Sequence, residues 1–140
     1  MALPDPKPGL VLRYDYLWSR EAMRGREQSK DRPVCIVAAS EPTARPRFVV
    51  ILPITHRRPR GATVGIEIPP KVRQALGLDD ERSWVIVSEY NVDEWPNGLA
   101  SIPGRTAVFA YGFIPPALFL AIKERFLGLA ESGRAARVKR

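Results

Sequence analysis

The chain has 140 residues, 45% apolar and 26% charged, the composition of a soluble globular protein large enough to bury a core. No stretch approaches the roughly 18 apolar residues that a membrane-spanning helix needs. Asp5 and the prolines around it also break any charged-then-apolar leader, so a cytoplasmic protein with no membrane partner is expected. The single cysteine, Cys35, excludes an internal disulfide and a cysteine-based zinc site, and the single histidine, His56, excludes a His-rich metal cluster. No metal and no cofactor is therefore expected.

A net charge of +7 points to a polyanionic partner, nucleic acid or an acidic protein. Residues 131–140 carry Arg134, Arg137, Lys139 and Arg140 against Glu131, which leaves this tail at +3 and the remainder at +4. The sequence predicts one domain over 1–130, followed by a disordered, solvated basic tail over 131–140.

In chain order, Met1–Pro8 holds alternating prolines and reads as an extended lead-in. Gly9–Trp18 alternates as a strand, with Leu10, Leu12, Tyr14 and Tyr16 on one face and Val11 and Arg13 on the other. Ser19–Asp31 loses the apolar pattern and gains Arg20, Arg24, Arg26 and Lys30, a long loop with one helical turn after Ser19. Pro33–Ala39 and Arg47–Thr55 are apolar strands of the kind buried in a small barrel. A second basic loop, His56–Gly61, holds Arg57, Arg58 and Arg60, and Val64–Ile68 is a short strand.

Prolines 69 and 70 open a short helix that Gly77 and Leu78 close. Ser83–Glu89 reads as a strand, Tyr90–Gly98 as a turn, and Leu99–Ile102 and Thr106–Tyr111 as further strands. Pro115–Ala130 is the main helix, with Phe119, Ile122, Phe126 and Leu129 on its apolar stripe and Leu120 and Leu127 off it, spare apolar surface for a second subunit or simple exposure. The expected fold is mainly β (α+β): a small, strongly bent β-barrel with a short internal helix and a C-terminal helix.

Antiparallel pairing of Pro33–Ala39 with Arg47–Thr55 would set Arg32, at the start of one strand, near Thr55 and His56, at the end of the other. A guanidinium can pair two phosphate oxygens and stays charged at any working pH; the competing fate of Arg32 is a salt bridge to Asp31 or Glu89. Thr55 offers a hydroxyl to phosphate or is an ordinary strand residue, and His56 is a base or acid by its near-neutral reference pKa. Arg57, Arg58 and Arg60 suit phosphate positioning, and Arg20, Arg24, Arg26 and Lys30 suit closure over a strand of RNA. Tyr16, Trp18 and Trp95 are either base-stacking platforms or core.

Four segments, Gly9–Leu12, Asp31–Val37, Leu52–Thr55 and Val87–Glu89, stand in an order and spacing that resembles the MazF/PemK toxins (Kid and CcdB-like), over roughly Pro8 to Phe126. The resemblance implies an SH3-like barrel, a homodimer, and a toxin of a toxin–antitoxin pair. It further implies a metal-independent endoribonuclease that cuts single-stranded RNA to 2′,3′-cyclic phosphate and 5′-hydroxyl ends, and a cognate antitoxin that blocks the RNA groove. It places family active-site residues at Arg32 and Thr55 and an acidic base at Glu89. Family members with that base carry an arginine where this chain has Val87. The alternative is a barrel of the same shape that binds antitoxin, RNA or a protein target such as gyrase without cutting.

Overall fold

Alternating apolar residues cover both faces of the central strands, so a sheet built from them must be enclosed on both sides. The computed structural model describes residues 3–19 and 30–139, and achieves this with eight strands and two helices. The strands are β1 (Leu10–Tyr16), β2 (Lys30–Ala39), β3 (Phe48–Thr55), β4 (Gly65–Glu67), β5 (Trp84–Ile86), β6 (Glu89–Glu94), β7 (Ala110–Phe113) and β8 (Ala136–Arg137). The helices are α1 (Pro70–Ala75) and α2 (Pro116–Glu131). The fold is mainly β, of the α+β class.

The strand order is β4-β5-β3-β2-β1-β7, with β6 also paired to β3 and β8 paired to β6. Every pairing is antiparallel except the parallel β6–β8 ladder. The expected closed barrel does not form among the described residues: β4 and β7 lie at opposite ends of the order and do not pair. The sheet bends instead. Along one edge β3 pairs first with β6, through Phe48–Ile51, and then with β5, through Ile54 and Thr55. Register shifts between Val11 and Leu12 and between Ile36 and Ala38 add local twist.

Strand alternation sorts the core into two layers. Val11, Cys35, Val37, Leu52, Ile54, Val85 and Val87 pack with Ile122, Phe126 and Leu129 of α2. Leu10, Leu12, Tyr14, Tyr16, Val34, Ile36, Val49, Ile51, Trp84 and Ile86 form the other layer. Leu120 and Leu127 stay exposed, as their place off the helical stripe predicts. In α1 the Leu78 N–H donates to the Arg73 carbonyl and the Gly77 N–H to the Gln74 carbonyl, with Gly77 at φ +71°, so glycine ends the helix by a left-handed C-cap.

Leu99–Ile102, expected as a strand, holds only isolated bridges, and two further departures share a cause. The segment read as a turn over Tyr90–Gly98 holds most of β6, whose Asn91 is fully buried. The tail, expected to be disordered, holds structure among its described residues: β8 pairs with Glu89 and Tyr90, and Val138 is buried. One amide explains both. Asn91 Oδ1 accepts the Leu17 N–H at 2.9 Å, and its Nδ2 donates to the Leu17 carbonyl at 3.0 Å and the Val138 carbonyl at 3.4 Å. Buried backbone groups just past β1 and in the tail thus find partners in a polar side chain. Asn91→Ala should cost ~2–4 kcal/mol, because it orphans backbone groups out of reach of water; chemical denaturation of both proteins measures it, and a loss under ~0.5 kcal/mol would contradict this role.

A candidate phosphate-binding cleft

The end of β3, the end of β5 and the start of β6 meet where β3 has changed neighbours. A cleft of about 280 Å³ opens there, lined by Trp18, Ser19, Thr55, Arg57, Arg58, Pro59, Arg60, Thr63, Ile86 and Glu89. The basic loop reaches it through a close approach. A Cβ on Gly65 would lie 2.7 Å from Pro59 Cγ and 3.0 Å from Ile86 Cδ1, so only glycine lets Pro59, between Arg58 and Arg60, settle against β4 and β5.

Of the residues singled out from sequence, Thr55, Glu89, Arg57, Arg58 and Arg60 share this cleft. Thr55 Oγ1 accepts the Arg57 N–H at 3.0 Å, which keeps the hydroxyl proton available to a ligand. Glu89 is engaged on both oxygens: Oε2 accepts the Tyr16 hydroxyl at 3.1 Å and the Ser19 N–H at 3.0 Å, and Oε1 accepts the Ser19 hydroxyl at 2.9 Å. Burial, then the Glu89 charge, drives the Tyr16 phenol far above its ordinary pKa, so it remains a donor.

Arg32 does not line the cleft. Its guanidinium carbon lies 4.8 Å from the centre of the Trp18 ring, a cation–π contact against a lining residue. The β2–β3 ladder ends at the Val34–Pro53 pair, two positions short of Arg32 and Thr55, and Thr55 pairs with Trp84 of β5. Asp31, one expected partner of Arg32, is bound by Arg13, with Nε to Oδ2 at 2.7 Å. That hydrogen bond holds the Asp31 carboxyl below its usual range.

His56 is turned away from the cleft. Its Nδ1 faces the Arg82 carbonyl at 3.0 Å and its Nε2 faces Asp79 Oδ2 at 2.7 Å. Burial alone would lower its pKa, but the Arg82 carbonyl, Asp79 and Glu81 outweigh burial and hold it above the ordinary value. Lys30 is exposed on β2 opposite Tyr16 and does not line the cleft, while Arg20, Arg24 and Arg26 lie outside the described residues. Among the aromatics, Tyr16 is core, Trp18 is nearly buried yet lines the cleft, and Trp95 stacks on Tyr14 at 6.0 Å. Cys35 is fully buried and its thiol is pushed up to about 12, which removes it as a nucleophile.

Sequence reasoning missed Ser19 as the partner of Glu89, seventy residues away, and no local pattern signals that contact. Among the described residues no helix is long and apolar enough to cross a membrane. The chain matches no known family model and no curated protein sequence.

Two outcomes follow. Glu89→Gln should lose ~1–3 kcal/mol of stability without any ligand present, because a carboxylate accepting three hydrogen bonds becomes an amide that can accept at only one oxygen; an unchanged denaturation midpoint would mean that Glu89 anchors nothing. Asp31 has a lowered folded pKa, so its contribution is present above the unfolded pKa and fades as pH falls through the folded one. Asp31→Asn should therefore cost up to ~1 kcal/mol at pH 7, with the gap to the parent closing in acid; a gap that widens toward low pH contradicts the assignment.

Proposed function

We propose that the protein is a toxin of a toxin–antitoxin pair, of the MazF/PemK kind, that cuts single-stranded RNA at this cleft without a metal. The observation that carries this reading is the convergence of Thr55, Arg57, Arg58, Arg60 and Glu89 on one cleft, with Arg32 on the ring of lining residue Trp18. The cleft lies near the lower limit of small-ligand sites, about 300 Å³, a size suited to one nucleotide unit of a threaded strand.

In this reading Arg57, Arg58 and Arg60 hold phosphates, and the free proton of the Thr55 hydroxyl goes to a non-bridging oxygen. Arg32, held on the Trp18 ring beside the cleft, adds positive potential that stabilises the charge building on the phosphorane. Glu89 takes the proton of the ribose 2′-hydroxyl, the 2′-oxygen bonds to phosphorus, and the bond to the 5′-oxygen breaks. The 5′-oxygen collects a proton from solvent at the open mouth, giving a 2′,3′-cyclic phosphate and a 5′-hydroxyl. His56, committed to Asp79 and Arg82, is left out of the chemistry.

The strongly bent sheet, covered on both faces, supports an SH3-like barrel as the finer description of the fold. The exposed Leu120 and Leu127 suit a homodimer, and the arginines of the cleft suit an antitoxin with an acidic extended segment. A second reading is favoured by one feature: both oxygens of Glu89 already accept hydrogen bonds, as an anchor would, and Val87 stands where family nucleases carry arginine. The protein would then bind RNA, antitoxin or a protein target such as gyrase without cutting.

Mixed-sequence RNA incubated with the full chain in EDTA separates the two. Discrete cuts ending in cyclic phosphate are expected. Arg32→Ala should slow cutting roughly a hundred-fold, and Arg134→Ala, on the exposed tail, should not change it. No cuts by a folded protein at micromolar concentration would leave only the binding reading, and equal losses in the two variants would mean that the site lies elsewhere.

A further inference from the structure

On the outer side of the cleft wall, His56, Asp79 and Glu81 bring one imidazole nitrogen and two carboxylate oxygens within 4.8 Å of one another. Nε2 lies 2.7 Å from Asp79 Oδ2 and 3.6 Å from Glu81 Oε2. Four ligands placed tetrahedrally at ~2.0–2.1 Å from a zinc-sized ion sit about 3.3 Å apart. The two imidazole–carboxylate distances bracket that spacing, one to open and one to close by less than an ångström, and the two carboxylate oxygens, within 4.8 Å of each other, close to the same spacing by side-chain rotation at the surface.

The imidazole is also oriented for that role. Its Nδ1 faces a backbone carbonyl, that of Arg82, at 3.0 Å. Donation there fixes the tautomer and turns the Nε2 lone pair toward both carboxylates, the arrangement typical of metal-bound histidine. Without a proton or a cation between them, that lone pair would face carboxylate lone pairs. The Arg82 guanidinium, although its carbonyl faces His56, is engaged elsewhere: it forms two hydrogen bonds to Glu67, each 2.8 Å, and stacks 5.0 Å from the Trp84 ring centre. Asp79 Oδ1 is fixed in turn by the Glu81 N–H at 3.0 Å, so Oδ2 is the oxygen left facing the imidazole.

We propose that His56, Asp79 and Glu81 form a three-ligand site for a divalent transition-metal ion of the zinc class, with water completing its coordination. One imidazole with two carboxylates suits zinc, nickel or copper; magnesium prefers an all-oxygen octahedron and discriminates against the site. This proposal stands apart from the reaction proposed above. The ligands are exposed and outside the cleft, so the ion is a clamp: it ties the residue between Thr55 and Arg57, both cleft residues, to the segment that leads into β5. The exclusion of a cysteine- or histidine-rich centre is untouched, because this site uses one histidine only.

The test uses the full chain without a polyhistidine tag, titrated with zinc chloride in a non-chelating buffer. Because His56 is the only histidine, the imidazole nitrogen resonances report on this site alone. One equivalent of zinc should bind with micromolar affinity and shift the Nε2 resonance far more than Nδ1, and magnesium at a hundred-fold higher concentration should do neither. His56→Gln and Asp79→Asn, each checked for native circular dichroism, should weaken zinc binding at least about tenfold. Zinc binding of equal strength in the folded variants, or no shift of Nε2 at saturating zinc, would overturn the site; if His56→Gln fails to fold, Asp79→Asn and the parent's nitrogen spectrum decide it.

Discussion

Two side chains of β6 hold the end of β1, and the cleft depends on that grip. Glu89 takes the Tyr16 hydroxyl and both donors of Ser19, while Asn91 takes the N–H and carbonyl of Leu17. Leu17 and Ser19 are thereby fixed against a strand that lies seventy or more residues downstream, and Trp18 between them is carried into the cleft wall. The grip consists of hydrogen bonds in a largely dry setting, where a lost partner costs more than a made bond contributes.

The cleft itself results from a change of partners along β3. Its first half leans on β6 and its last two residues on β5, so the sheet parts between Ile86 and Glu89. A continuous ladder would leave no opening there. The basic loop that follows β3 is pressed toward the gap by Pro59, which fits only because Gly65 has no side chain. Charge is thus delivered to a place that backbone geometry has already opened, and Arg57, Arg58 and Arg60 line that opening while still exposed.

Much of the fold is legible in sequence where one local rule decides. Proline at the start and glycine at the end bound α1, a 3.6-residue stripe gives α2, and alternation separates Tyr14 and Tyr16 from Val11. The failures share a cause. Asn91 and Asp93 disfavour a strand by propensity, yet Asn91 is buried because it satisfies backbone groups of Leu17 and Val138, which only tertiary structure brings near. The tail reads as solvated because it is charged, although Val138 is buried and Ala136 pairs with Glu89. Thr55 and the three arginines, singled out by residue type and position, and Glu89, singled out by the resemblance, line one cleft. The direction of His56 was not legible, since Asp79 and Arg82 lie 23 and 26 residues further along the chain.

The parallel pairing of β8 with β6 places the final strand one ladder away from the carboxylate that anchors the cleft wall. Val138 lends its carbonyl to the same asparagine that secures Leu17. Trimming the chain back to Ala135, or crowding its last residues with a fused partner, therefore bears on the far wall of the cleft without passing through any helix. β8 is a strut: Ala136 pairs with the same Glu89 whose carboxylate holds Ser19.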